Sequence, residues 1–258
     1  EQNVVEPKNY DRIVDAVRFK YPNNNMLKGH FLALDFIANN DWDRPVNFSI
    51  TSGSSAYMGL EKYFRMDGLI FRLVPIKEQQ DLDGQTGWMN TDVTYEHVMN
   101  EFVWGNLPKK DIYIGSVAMK QCRNFRNVFN RLATTLVAKN KNDSAEKVLD
   151  KGMKVLPEKN APYGFIVFNM VENYYKIGAA KKGKKYGQRI YEITEGELDY
   201  YLDLEQDKRR QVEQDIRRGF YILRRMRELA KDNNQQDFAD KLNESFKQFR
   251  QQYRGGSM

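Results

Sequence analysis

Apolar positions divide the chain into a shorter first part, where their spacing keeps changing, and a longer second part, where it stays helical. After a lead-in segment broken by Pro7, residues Leu27, Phe31, Leu34 and Ala38 recur at helical spacing. They predict an amphipathic helix to about Asn39, with Asn23, Asn24 and Asn25 offering N-cap chemistry. Beyond the polar turn from Asp41 to Pro45, Val46, Phe48 and Ile50 alternate with Asn47 and Ser49, the period-two mark of a half-buried strand. Tyr57, Leu60, Glu61 and Phe64 suggest a short helix, Gly68 a turn, and Leu69 to Val74 a second strand stopped by Pro75. Glu78 to Gly87 has no period, carries Gly84 and Gly87, and reads as an exposed loop on which Asp81 and Asp83 are solvated. Thr91 or Asp92 then caps a helix to about Trp104, with Val93, Val98, Met99 and Phe102 on its apolar side. This order predicts a small α/β segment in which both strands share one sheet beneath the helix that starts near Leu27.

From about Ser116 to Tyr253 strand signals nearly vanish, and helical patterns follow one another, punctuated near Asn140, Pro157, Gly178, Gly196 and Asn233. The predicted class is α+β, mostly α: a small α/β domain over 1–110, then a tetratricopeptide-like helical domain over 111–258. Phe129, Leu132, Ala133 and Leu136, followed by Ala145, Leu149 and Pro157, fall at the offsets of the tetratricopeptide template. Ala133 and Ala145 are small where paired helices approach, and the leucines fill the seam. A second overlay runs through Val167, Met170, Val171, Tyr174 and Gly183. A third, fainter one uses Leu223, Met226, Ala230 and Ala239, after an inserted segment around Glu195 to Arg210. The competing reading is a plain helical bundle with one chance match.

Charge sharpens this division. The net charge is +6, but 1–116 carries 12 basic against 16 acidic residues, so the whole basic surplus lies beyond it. A basic helical half invites nucleic acid or anionic lipid as partner. Its basic residues are interleaved with acids, as in Glu213 to Arg218, and no nucleic-acid motif is present, so nucleic acid is not expected. The densest basic run, Lys181, Lys182, Lys184 and Lys185, spreads around a helix and suits a membrane surface better than a groove. No apolar run approaches the roughly 20 residues of a membrane span. The start at Glu1, without an initiator Met or a targeting pattern, is expected of an excised or processed chain. One cysteine, Cys122, excludes an internal disulfide.

Candidate chemistry is sparse. Thr51-Ser52-Gly53-Ser54-Ser55 lies between a strand and a helix, where amides and hydroxyls can hold an anion. Ser52, Gly53, Ser54 and Ser55, with Arg44 and Tyr57 beside them, form the candidate ligand-binding set. The loop is neither a phosphate-binding P-loop nor a nucleophile elbow, since Ala56 stands where the elbow needs a second glycine. His30 and His97 lack partners at metal-ligand spacing, so neither metal nor cofactor is expected, and no residue is singled out as catalytic. Paired tyrosines, Tyr174-Tyr175 and Tyr200-Tyr201, together with Trp104, offer faces for sugar stacking, although rings at helical spacing more often fill a core.

The stretch Arg18-Phe19-Lys20-Tyr21-Pro22-Asn23-Asn24-Asn25-Met26-Leu27, then Ala33-Leu34-Asp35 and Trp42-x-Arg44-Pro45-Val46-Asn47-Phe48, resembles a family of bacterial multi-pass membrane proteins. Their membrane part is similar to that of protein O-mannosyltransferases. Gly59-Leu60-x-x-Tyr63, Gly68-Leu69-x-x-Arg72-Leu73-Val74-Pro75 and Met89-Asn90-Thr91-Asp92 agree, and family members carry tetratricopeptide-like repeats further on. The resemblance implies a membrane-embedded, glycosyltransferase-like domain of the same polypeptide preceding Glu1, which would hold the catalytic acid. It also implies a place for this chain on the periplasmic face of the inner membrane. The expected function is a non-catalytic accessory domain that binds or positions a protein or glycan acceptor. The alternatives are a stand-alone sugar-processing hydrolase built on the Gly53 loop and Asp35, or a pure protein-interaction scaffold.

Overall fold

A computed structural model describes residues 4–77 and 84–255. Asp81 and Asp83 lie outside the described residues, as does most of the expected loop from Glu78. The chain forms two compact units, one from 1–103 with 134–139 and one from 104–133 with 140–258.

In the first unit a 3-10 turn (Pro7–Arg12) leads to α1 (Lys28–Asn39), β1 (Asn47–Ser49), the single turn α2 (Ser54–Tyr57) and a second 3-10 turn (Glu61–Tyr63). Then come β2 (Phe64–Asp67), β3 (Ile70–Leu73), β4 (Trp88–Met89) and α3 (Thr91–Glu96). The strands make one mixed sheet in the order β1-β3-β2-β4, antiparallel except for the β2–β4 pair. Both expected strands are present and paired, with Phe48 opposite Phe71. Two further strands went unforeseen. The expected helix from Tyr57 to Phe64 is broken at Met58 and Gly59, whose φ angles of 58° and 87° are left-handed. A Cβ on Gly59 would collide with the carbonyl oxygen of Lys20, so only glycine closes that turn.

Packing in this unit is aromatic. Phe64 stacks on Phe71 at 5.6 Å, Tyr57 meets both edge-on, and Phe48 covers Phe64 at 4.8 Å. Beside the rings lies a polar clamp. Buried Arg65 holds Asp67 through Nε at 2.9 Å and Nη2 at 2.8 Å, and reaches Glu6 at 3.3 Å. Asn90 donates to the same Glu6 oxygen at 2.9 Å, so the clamp joins the start of the unit to its last strand. Caps differ from expectation: α1 begins at Leu27 without a side-chain cap, and Asn90 caps α3, accepting from the Val93 amide at 3.4 Å. That helix passes into a π-helical turn (His97–Glu101) and stops at Phe102, short of Trp104.

The second unit is helical, as its periodicity predicts: α4 (Ser116–Ala138, whose last residues cluster with the first unit), α5 (Asn142–Val155), α6 (Phe165–Lys176), α7 (Ala180–Asp203), α8 (Gln206–Gln211), α9 (Glu213–Asp232) and α10 (Gln236–Gly255). Short turns force α4–α5, α6–α7 and α9–α10 to run antiparallel. Each turn has a left-handed residue: Asn140 at φ 57°, Gly178 at 81° and Asn234 at 57°. Phe129, Leu132, Ala133, Ala145 and Leu149 are fully buried, as are Leu223, Met226, Ala230 and Ala239. Gly196, read as a break, lies inside α7 with nothing within 4 Å of where a Cβ would stand, and the helix carries its propensity cost of about 1 kcal/mol. The supposed insertion from Glu195 is therefore the end of α7 followed by α8. Glycine matters more at Gly219 of α9, where an added Cβ would sit 2.8 Å from Leu198 of α7. The two helices touch there because nothing stands between them.

Candidate functional site

The residues proposed from sequence for ligand binding do not all face one space. Ser52, Gly53, Ser54 and Ser55 are exposed, Gly53 adopts φ 79°, and α2 is too short to present a helical N-terminus. Tyr57 is buried among the sheet aromatics, and its hydroxyl donates to the Ser49 carbonyl at 3.2 Å. Burial first, and then the charge of Glu61, push that phenol above its ordinary range against a lowering backbone contact. Arg44 is exposed, and its carbonyl accepts from the Asn40 side chain at 2.7 Å. Asp35, the acid of the alternative hydrolase, is an exposed residue of α1 that accepts from Asn39. His30 bonds Tyr21 at 2.7 Å, while His97 lies 3.4 Å from Glu101 and stacks on Phe102. Among the described residues no group of His, Cys, Asp and Glu could hold a metal ion. Cys122 is buried, and its thiol is pushed up chiefly by that burial.

Beside β1, a groove of about 460 Å³ is lined by Ala33, Phe36, Ile37, Pro45, Val46, Asn47 and Phe48. It lies where the helix from Leu27 was expected to cover the strand. Leu34 and Phe48 are half-buried, so the cover is partial. No residue of α1 is buried, and Leu27, Phe31, Leu32 and Phe36 are each more than half exposed. Apolar groups on nearly every face of a 12-residue helix are expected only where other material surrounds it.

A larger cleft, of about 650 Å³, lies wholly within the helical unit. α4 supplies Met119, Arg123 and Arg126, and the turn before α6 supplies Pro162, Tyr163 and Gly164. Phe165 and Ile166 of α6, and Ile190, Ile193 and Thr194 of α7, line it further. Glu197 and Tyr201 extend that wall, and Asp215, Arg218, Gly219 and Ile222 of α9 complete it. The apolar floor follows from helical spacing, which sets Ile190, Ile193 and Glu197 on one face of α7.

Arg126 is 2% exposed, donates to the carbonyls of Pro162, Leu156 and Ala161 at 2.7 to 2.9 Å, and lies 5.3 Å from the Tyr163 ring centre. Its Nε has no hydrogen-bond partner among the described residues. Burial pulls this guanidinium below its ordinary value, opposed by Tyr163, Cys122 and Glu158. Tyr163 is pushed up to about 12, by burial and then by Tyr186. Opposite, Asp215 pairs with Arg218 at 2.7 Å, and Arg218 covers the Phe165 ring at 5.6 Å. Loss of water against the wall, and then the charge of Asp215, push the Glu197 carboxyl up, while Arg218 pulls it down. This arrangement can hold a ligand by shape, charge and stacking.

Sequence reasoning missed the cleft because its walls come from residues spread over 119–222, each unremarkable in its own helix. The one signal within the sequence was Arg126 on the seam face of α4, three residues before Phe129.

The chain is thus α+β, mostly α, with a cleft in its helical unit. Residues 1–93 match the family model described as TMEM260-associated domain 2. The family expectation is therefore supported as an associated domain over this first stretch. No curated protein and no solved structure matches the chain. Among the described residues no helix is long and apolar enough to cross a membrane.

Proposed function

We propose that this chain is an accessory domain of a TMEM260-like, glycosyltransferase-like membrane protein, and that it holds a protein or glycan acceptor without transforming it. The match over 1–93 supports the accessory role. The cleft carries the holding role: it is concave, floored by isoleucine and edged by charge. In this reading the exposed apolar faces of α1 contact the membrane-embedded domain of the same polypeptide, on the periplasmic side of the membrane. Of the four clustered lysines, Lys182 is already bound to Glu146 and Asp150 at 2.7 and 2.6 Å, which leaves Lys181, Lys184 and Lys185 for anionic lipid. The helical hairpins serve as a tetratricopeptide-like array whose concave side is the cleft.

The test is to apply the purified chain to glycan and peptide arrays and to follow lipid-linked and nucleotide sugars in parallel. Binding without turnover is expected. Cleavage of a glycoside, lost in Glu197→Gln, would favour a hydrolase, the reading that the raised Glu197 carboxyl beside Asp215 supports.

A further inference from the structure

We infer that the occupant of the helical cleft is an extended peptide segment carrying a carboxylate next to an apolar side chain. This deepens the acceptor-holding role and rests on it. The isoleucines of the floor favour an apolar side chain over a sugar ring. Ile166, Ile190, Ile193 and Ile222 offer no donor or acceptor, so each hydroxyl a sugar ring buried against them would lose water and gain nothing. A leucine or phenylalanine side chain meets that surface without such a loss.

Charge sets the direction. At the α4 end, Arg123 is exposed and makes no ion pair or hydrogen bond with the described residues. One helical turn on lies Arg126, whose buried guanidinium donates to three carbonyl oxygens and lies over the face of Tyr163, with Glu158 near enough to act on its charge. Arg126 is occupied by these carbonyls, so it is the exposed guanidinium of Arg123 that an anionic group meets on this wall. At the far end Arg218 is satisfied by Asp215, while Glu197 has oxygens to accept N–H groups. An amide chain is the ligand class that combines a carboxylate, an apolar side chain and a row of N–H donors. Its carboxylate lies toward Arg123 and its backbone N–H groups toward Glu197.

The experiment uses fluorescein-labelled hexapeptides in which a central Leu or Phe is followed by Asp, matched Asn peptides, and labelled mannose and glucose oligosaccharides. Fluorescence anisotropy is read on the full chain. The Asp peptides should bind at least tenfold more tightly than their Asn partners, and the advantage should shrink as salt rises. Arg123→Glu, an exposed change, should remove the Asp preference without altering the melting temperature, and Ile193→Asp should abolish binding. Peptides that bind equally with Asn, or that ignore Arg123→Glu, overturn the inference. Oligosaccharide binding lost in Ile193→Asp overturns it too, yet leaves the holding role standing. Turnover of the oligosaccharides removes both.

Discussion

The sheet-containing unit and the helical unit are held together by opposite means. In the helical unit most helices pack on a neighbour through hairpins closed by a left-handed residue, and α7 also reaches α9 and α10. In the sheet unit the decisive contacts are long-range: Glu6 meets Arg65 and Asn90, and Ile13 bridges Ile76. The difference shows where fragility sits. An array of local hairpins loses stability in proportion to the side chain removed, whereas a sheet closed by one polar clamp depends on a few groups that cannot be left unpaired.

Changes at four positions test that contrast. Arg65→Met should be the most damaging, at about 3–5 kcal/mol, because Asp67, 6% exposed, would keep its charge without a partner. Hydrogen exchange should show the loss concentrated in the sheet unit, and equal loss in the helices would dissolve the distinction. Leu149→Ala should cost about 2–5 kcal/mol in chemical denaturation, with exchange rising mainly around α5 and its neighbours. Asn140→Ala should cost about 1 kcal/mol and Asn140→Gly close to nothing, since φ 57° strains a residue with a Cβ that lacks the Asn amide. The last and smallest effect is on pH dependence. Because the Glu197 carboxyl is raised in the folded state, its contribution is present below its unfolded pKa and is lost as pH rises through the folded one. The stability difference between the parent and Glu197→Gln should therefore favour the parent more at acid pH than at neutral pH. An equal difference at both, in paired melts, would show that the carboxyl titrates as in water.

Much of the helical unit was legible because burial there repeats every three to four residues, and Asn140, Pro157 and Gly178 interrupt it where turns occur. Gly196 misled because a glycine inside a helix and one that ends it look alike in sequence. In the sheet unit, Phe64-Arg65-Met66-Asp67 does alternate, but its polar members are buried as an ion pair, and Tyr57, Leu60 and Phe64 offered a longer helical pattern that absorbed its start. β4, two residues long, has no pattern to read. The loop around Gly53 drew attention as local chemistry. The cleft escaped notice because no local segment contains it.

The clamp at Arg65 has a consequence for proteolysis. Ser52 to Ser55 are exposed and open to a protease, yet the piece before a cut there stays tied to the rest of the unit. β1 remains paired with β3, the Val14 amide remains on the Pro75 carbonyl at 2.9 Å, and Glu6 remains on Arg65 and Asn90. A nicked molecule should therefore migrate as one species on a native gel and as two fragments in detergent, and in Arg65→Met, which removes one of these ties, its smaller piece should be released at lower denaturant.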